Sequence, residues 1–381
     1  MKTKKITIDI KNVDTKVINE AAAVVDEGGF VAFPTETVYG IAARAKKDTL
    51  SKLSLLKGRS DNKHYTLHIA KNNDVFKYVP MIGLRTRKLI QNAWPGPLTL
   101  VFSGLGPRDS WLEYSRHEPR ATSHEREVFE ALYKDGSIGI RCPDNPVATA
   151  LLQQTKNPVV APSANISDQT PAVDAEQVLE QFSGKIDLVL DGGPCRFKKS
   201  STVAKLDKKG IEILREGLYS KIELESLSQI RFLFVCTGNT CRSPMAEGIF
   251  KKYLAQKLDC KVDELENIGY KVISAGIMGL TGCPASSEAV AACAVHDINI
   301  ENHRSQGLTR DLIEESDIIF AMERMHLMRI LALDPHAGNR CLLLAGHKEI
   351  PDPIGQSRKV YDNCVKLITN AVKQRISELI I

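Results

Sequence analysis

Eight consecutive residues, Cys236-Thr237-Gly238-Asn239-Thr240-Cys241-Arg242-Ser243, gather a thiol, a guanidinium and hydroxyls between an apolar run at 232–235 and an amphipathic stretch at 245–254. That order reads as strand, tight loop, helix. Unpaired backbone N–H groups and the dipole at a helix N-terminus converge on one point and favour anions there. A cysteine in such a field is expected to ionise near neutral pH, and the thiolate is the nucleophile. The chemistry this suits is attack on phosphorus in a phosphate ester or phosphoramidate. Cys236 is the candidate nucleophile, and Arg242 offers a planar donor fork for phosphate oxygens. Gly238 and Asn239 tolerate the left-handed backbone that turns N–H groups inward. Ser243 is placed to donate a hydrogen bond that lowers the thiol pKa further. Thr237, Thr240 and Cys241 complete the loop. A leaving group also needs a proton. Asp352, between Pro351 and Pro353, is the candidate acid, because the prolines fix the backbone that aims it. Alone, Asp-Pro is a turn start; beside the cysteine loop the acid reading takes precedence.

A second set lies on separated stretches of the first half. Phe33-Pro34-Thr35-Glu36-Thr37-Val38-Tyr39-Gly40 is a strand ending in a hydroxyl-rich turn. Lys57-Gly58-Arg59 puts two cations at the end of a helix. Ala161-Pro162-Ser163-Ala164-Asn165 follows a buried strand, and Ser200-Ser201-Thr202 is followed by Leu214-Arg215-Glu216-Gly217. Each alone is a solvated helix end or a turn with local hydroxyl bonds. Jointly, cations and hydroxyls from several loops suit a polyanion such as a triphosphate. No Walker A loop is present.

The elements that must position these groups are α/β throughout. At 381 residues the chain exceeds one typical core, so two domains are expected, 1–217 and 230–381, with a short polar connector at 218–229. In the first, strands are expected at 30–33, 66–69, 98–102, 138–141, 159–161 and 188–190. Helices are expected at 16–27, 49–57 and 145–154, giving a mixed sheet. In the second, strands at 232–235, 271–274, 317–321 and 341–344 alternate with helices. That is the pattern of a small parallel sheet covered on both faces, where ligands bind beyond the strand carboxyl ends. Composition is that of a soluble globular protein, 43% hydrophobic and 25% charged, and a net charge of +5 permits anionic substrates or RNA without demanding either. No apolar run approaches membrane-spanning length and no signal-like region follows Met1, so a cytoplasmic protein without a membrane partner is expected. Nine scattered cysteines, an odd count, argue against a disulfide framework, and no Cys/His cluster reads as a zinc site.

From 230 onward the chain resembles the low-molecular-weight protein tyrosine phosphatases, in the 236–243 loop, Ser274-Ala275-Gly276, Ser316-Asp317-Ile318-Ile319 and Asp352-Pro353. The resemblance implies a four-stranded parallel-sheet, three-layer α/β fold and a cysteinyl-phosphate intermediate on Cys236. It also implies Asp352 as general acid and then base, a phosphoprotein substrate and no cofactor. Thr240 stands where tyrosine-specific members carry a branched aliphatic residue, and in this the loop resembles the protein-arginine phosphatase branch. A hydroxyl there can bond a phosphorylated guanidinium or the attacking water. Ile354 stands where an aromatic residue often stacks on the substrate, so a phosphotyrosine ring loses one wall. Preference for phosphoarginine over phosphotyrosine is expected. Cys241 reads equally as the partner of a reversible disulfide that protects Cys236 and as a small buried side chain.

Residues 14–217 resemble the YrdC-like threonylcarbamoyl-AMP synthases. Lys57, Arg59, Ser163 and Asn165 match that family's Lys-x-Arg…Ser-x-Asn signature. Trp94-Pro95-Gly96-Pro97-Leu98-Thr99 and Gly139-Ile140-Arg141-Cys142-Pro143 fit its pattern. The resemblance implies condensation of L-threonine, bicarbonate and ATP, with Mg²⁺, to threonylcarbamoyl-AMP and pyrophosphate, in the service of N6-threonylcarbamoyladenosine in tRNA. It places Thr35 and its neighbours on threonine, Lys57 and Arg59 on bicarbonate and phosphates, and Ser163, Asn165, Ser201 and Arg215 on ATP. Asn62 and His68 belong to the same threonine and ATP set, and tRNA or tRNA-modification proteins are the further partners implied. The stretch 106–127 reads as a basic surface insertion, with Arg108, Arg116 and Arg120. A fused bifunctional enzyme is the leading expectation. The alternatives are a first half that binds RNA without synthesis, or one that senses nucleotide and regulates a tyrosine phosphatase.

Overall fold

Apolar residues at alternate positions build two separate sheets in this computed structural model, which describes residues 2–59, 65–104 and 123–380, the side chains of 123–126 excepted. The chain divides into two compact units, Met1–Ile82 with Leu89–Leu227, and Gly83–Lys88 with Ser228–Ile381.

In the first unit one mixed sheet contains β1 (Lys4–Thr7), β2 (Val31–Phe33), β3 (Gly40–Arg44), β4 (Thr66–His68), β5 (Leu98–Phe102), β6 (Ile138–Arg141), β7 (Val159–Val160), β8 (Leu188–Asp191), β9 (Thr202–Asp207) and β10 (Gly210–Arg215). Their order is β1-β8-β2-β3-β7-β4-β6-β5-β9-β10. The central pair β4 and β6 is parallel, and β7 and β5 flank it antiparallel. The sequence reading covers six of these strands. It misses β1, which opens on exposed Lys4 and Lys5, and β3, built largely of glycine and alanine, which carry little strand propensity. It also misses β9 and β10, a hairpin whose outward face carries polar residues. The helix Thr15–Asp26 begins where Asp14 accepts the Lys16 N–H, and Pro146–Gln154 begins where Asn145 caps Val147 and Ala148. Residues 218–229, read as a connector, instead carry the helix Lys221–Ser228, with Leu224 fully buried.

In the second unit β11 (Ile230–Cys236), β12 (Tyr270–Gly276), β13 (Ile318–Ala321) and β14 (Cys341–Leu343) stand in the order β12-β11-β13-β14, every pair parallel. Successive β11 side chains take opposite faces. Ile230, Phe232, Phe234 and Cys236 join the core formed with the helices Arg242–Leu258 and Arg358–Glu378, while Leu233 and Val235 join Ile313 and Ile330 on the other side. The Phe250 ring lies 4.7 Å from Phe232 and 5.2 Å from Phe234, centroid to centroid. Burying each such ring contributes about 1.5–3 kcal/mol, which clamps the helix after the cysteine loop onto the sheet. That helix tolerates Pro244 because its first turn has no partner for the missing N–H, and it ends at Asp259 in the left-handed region (φ 56°).

Candidate active sites

β11 delivers Cys236 to the carboxyl edge of its sheet, and the chain then turns into the helix Arg242–Leu258. The Cys236 Sγ lies 2.9 Å from Ser243 Oγ and accepts the Asn239 N–H at 3.3 Å. Asn239 takes the left-handed backbone (φ 57°) expected of it. Gly238 does not: its φ lies outside that region, and a Cβ there would meet only ordinary contacts at 3.5 Å and beyond. The glycine the loop requires is Gly276, at the end of β12, where a Cβ would come within 2.8 Å of the Asn239 nitrogen.

The Asn239 side chain fixes the direction of the bonds around the sulfur. Its Oδ1 accepts the Gln306 N–H at 2.8 Å, so Nδ2 faces the two hydroxyls and donates to Ser243 Oγ (2.9 Å) and Ser274 Oγ (2.8 Å). Ser243 Oγ is thus an acceptor from Asn239, and its own proton points to Cys236. Burial nonetheless has the largest influence on the Cys236 thiol and pushes its pKa up; the Ser243 hydroxyl and N–H, the Arg242 guanidinium and the Asn239 N–H pull it down. Desolvation thus opposes the ionisation that the donors of this loop favour.

Arg242 is almost fully buried. Its Nη1 donates to Ile350 O at 3.0 Å and pairs with Glu323 Oε1 at 2.9 Å; its Nη2 donates to Thr237 Oγ1 at 3.0 Å and to Asp352 Oδ2. The fold therefore brings Asp352 onto the same guanidinium as the loop. His326 Nδ1 accepts the Glu323 N–H at 3.0 Å, so Nε2 carries the proton toward Thr237 Oγ1, also at 3.0 Å. Burial and the Arg242 charge hold this imidazole neutral, its pKa lowered to about 4. Thr240 O accepts the Ser286 N–H at 2.9 Å. All nine cysteines are free thiols, and Cys241 Sγ sits 3.3 Å from the Tyr361 hydroxyl.

In the first unit the separated loops converge on a cavity of about 440 Å³ whose lining includes Thr35, Arg59, His68, Ser163, Ser201 and Arg215. The volume is that of a small-molecule site. Thr35 Oγ1 donates to Val38 O at 2.7 Å, so the local hydroxyl turn is present as well. Arg215 Nη2 donates to Ser201 O (2.7 Å) and Oγ (3.1 Å). A Cβ on Gly217 would lie 2.2 Å from the Thr202 nitrogen, so only glycine lets the strand end approach this closely. Burial lowers the Arg215 pKa, and Arg141 and Arg59 lower it further, the mark of three guanidinium groups sharing one field. His68 Nδ1 donates to Thr66 O at 3.1 Å; burial and Arg141 lower its pKa to about 3, leaving a neutral ring with a lone pair on Nε2.

Lys57 and Asn165 stand one layer behind this lining. The Lys57 ammonium, expected to face phosphates, donates to the carbonyls of Ser163 (2.5 Å) and Asn165. The Asn165 amide is spent within its own loop, on Ser163 Oγ, Ile166 O and Gln169 O. Asn62 and most of the basic insertion lie outside the described residues. Sequence reasoning quoted Arg141 without giving it a role, although a cation ending the buried Ile-Gly-Ile run of β6 was the signal. It pairs with Glu36 at 2.8 Å, donates to Thr37 Oγ1 at 2.7 Å and lines the cavity. Among the described residues no three or more His, Cys, Asp or Glu side chains gather as a metal site.

A family model described as Telomere recombination (Sua5/YciO/YrdC) matches residues 23–217, and one described as Low molecular weight phosphotyrosine protein phosphatase matches residues 231–380. The Threonylcarbamoyl-AMP synthase of Bacillus subtilis (strain 168) is 32% identical over 231 residues, 60% of this chain and 62% of that protein. The one from Pyrococcus abyssi is 31% identical over 249 residues, 65% of this chain and 68% of that protein. The chain thus spans just under or just over two thirds of these two synthases. Low molecular weight protein-tyrosine-phosphatase Etp of Escherichia coli (strain K12) is 32% identical over 154 residues, 39% of this chain and 95% of that protein.

Proposed function

Because the chain belongs to the Sua5/YciO/YrdC family in its first half and to the low-molecular-weight phosphatases in its second, we propose that it is a bifunctional enzyme. The first unit makes L-threonylcarbamoyladenylate from L-threonine, bicarbonate and ATP, for tRNA modification. The second dephosphorylates phosphoprotein through a cysteinyl-phosphate.

The observation behind the first activity is the set of three guanidinium groups, Arg59, Arg141 and Arg215, around one cavity with hydroxyls of Thr35, Ser163 and Ser201. Threonine carbamate must approach the α-phosphorus, and fixed cations offset the repulsion and receive the pyrophosphate. Mg²⁺, if bound with the nucleotide, would supply further charge neutralisation. Lys57 acts by holding the Ser163–Asn165 turn in place. For the second activity, the supporting observation is Asp352 on the Arg242 guanidinium beside the Cys236 thiol. Phosphoryl oxygens replace Asp352 on Nη2, and the released carboxylate takes up the proton that the Cys236 thiol gives up. The sulfur attacks phosphorus as the bond to the leaving oxygen breaks, and Asp352 passes its proton to that oxygen. The carboxylate then deprotonates the water that opens the cysteinyl-phosphate, releasing phosphate and Cys236.

Thr240 and the exposed aliphatic side chains beside the loop, Met278, Leu280 and Ile354, support phosphoarginine as the preferred substrate. None of the three gives an aromatic face to a phosphotyrosine ring, and the Thr240 hydroxyl gives a polar partner to a phosphorylated guanidinium. Thr240→Ile is expected to lower the ratio of kcat/KM for phosphoarginine over phosphotyrosine by about tenfold or more, the worth of one hydrogen bond to a charged group. An unchanged ratio removes Thr240 from the choice of substrate. The two activities are tested on the whole chain by threonine- and bicarbonate-dependent pyrophosphate release and by phosphatase turnover, with Cys236→Ser and Lys57→Ala made separately. Each substitution should abolish or impair one reaction and spare the other. Wild-type chain without pyrophosphate release would overturn the synthase reading, and turnover surviving in Cys236→Ser would overturn the thiol mechanism.

A further inference from the structure

The donor chain that reaches the Cys236 sulfur does not end at Ser274. The Ser274 hydroxyl donates to Glu247 Oε2 at 2.7 Å, and Glu247 Oε1 is held by Lys251 Nζ at 2.6 Å, one turn further along the same helix. The Glu247 side chain is 18% exposed, so it stands at the edge of the core with its carboxylate turned inward to Ser274. A carboxylate accepts and cannot donate.

We infer that Glu247 is a positioning residue for the thiol: as the terminal acceptor of the chain Asn239–Ser274–Glu247, it fixes the proton of Ser274, through it the Asn239 amide, and through that the proton of Ser243 on the sulfur. Each step follows from valence. Asn239 Oδ1 is occupied by the Gln306 N–H, so both protons of Nδ2 must find acceptors, and these are Ser274 Oγ and Ser243 Oγ. Ser274 Oγ serves as that acceptor while its own proton has somewhere else to go, and Glu247 is where it goes. Without an acceptor at 247, the Ser274 proton competes for the space of the Asn239 donor, the amide loses its fixed orientation, and Ser243 loses the contact that directs its proton to Cys236.

This role has a sign that separates it from simple electrostatics. A carboxylate near a thiol disfavours the thiolate, so on charge alone the loss of Glu247 would lower the thiol pKa. As the end of the donor chain, its loss raises that pKa. Among the described residues the other charged or titratable groups facing the loop include Arg242 with Glu323 and Asp352, His326 through Thr237, His303, whose Nε2 lies 2.8 Å from Asn239 O, and Cys241 with the Tyr361 hydroxyl 3.3 Å from its sulfur. All are the same in every variant below.

The inference rests on the reading of Cys236 as nucleophile, but its test does not use dephosphorylation. The rate of alkylation of Cys236 by iodoacetamide against pH gives the thiol pKa directly, with Cys236→Ser as the blank that identifies the reacting thiol. Glu247→Met, which keeps length and removes the acceptor, should raise that pKa by about one pH unit, a roughly tenfold slower alkylation on the acid side. Glu247→Gln, which keeps an acceptor oxygen and removes the charge, should stay within about 0.3 of wild type. Ser274→Ala breaks the chain one link earlier and should match Glu247→Met. It also serves as the independent variant if Glu247→Met does not fold. A fall in pKa in Glu247→Met, no change, or equal shifts in the Met and Gln variants would each overturn the inference, whether or not the chain hydrolyses phosphate esters. A chain inactive on every phosphate ester but showing the predicted alkylation pattern would instead sink the proposed phosphatase activity alone.

Discussion

Lys57→Met tests a buried charge in the first unit. The ammonium is 3% exposed and donates to the carbonyls of Ser163 and Asn165, and burial with the neighbouring Arg59 pulls its pKa from 10.5 down to about 8. The folded value lies below the unfolded one. Between about pH 8 and pH 10.5 the unfolded chain therefore holds a proton that the folded chain has released, and stability rises with pH across that window. The full gap corresponds to about 3 kcal/mol, of which about 2 kcal/mol accrues between pH 7.5 and pH 9.5. Methionine cannot titrate, so this gain should vanish from the variant. The two carbonyls left without their donor cost about 1–3 kcal/mol each, offset by no longer burying a cation. At pH 7.5 the variant should therefore lie within about 3 kcal/mol of wild type, and at pH 9.5 wild type should gain about 2 kcal/mol on it. Urea unfolding followed by tryptophan fluorescence measures this, because Trp94 is buried in the core of the first unit. Taking the difference between the two proteins cancels the other groups that titrate at alkaline pH. Parallel stability profiles from pH 7.5 to 9.5 would refute the reasoning.

Asp352→Asn should slow hydrolysis of phenyl phosphate by about 10²–10³ and of p-nitrophenyl phosphate much less, since the better leaving group needs less of a proton; equal losses on both esters would mean Asp352 only orients Arg242. Glu36→Gln leaves the Arg141 guanidinium buried without its carboxylate, at side-chain exposures of 7% and 1% for the pair. A loss of about 3 kcal/mol or more is expected, a fall in Tm of the first unit on the order of 5–10 °C, and a calorimetric Tm unchanged within 2 °C would show the pair to be neutral to stability.

The second unit was the more legible of the two, for a physical reason. Its strands are buried on both faces and read as unbroken apolar runs, as in Phe232-Leu233-Phe234-Val235, and its thiol and guanidinium sit on one short loop. In the first unit the strands that escaped notice are the charged edge strand β1, the small-residue strand β3 and the polar hairpin β9–β10, where alternation is weak. The cavity residues were legible as motifs, but their depth was not. Spacing placed Lys57 and Asn165 in the same cluster as Arg59 and Ser163, whereas only packing decides that the first two brace the turn and the last two face the cavity. Of the supports of the cysteine loop, Glu247 follows on the helix the loop leads into, whereas Gln306, Glu323 and His326 come from two other segments and match no local pattern, so only the fold assembles them.

The Arg242 guanidinium is flanked by two carboxylates, those of Glu323 and Asp352. A ligand must do better than the second of these to occupy the loop. A halide, with one diffuse charge and no fork of acceptors, cannot match a carboxylate on Nη2. A tetrahedral dianion presents several oxygens to the inward N–H groups as well as to the guanidinium. In the proposed phosphatase the flanking acids would thus set a threshold, favouring doubly charged phosphoryl groups over singly charged anions at the thiol.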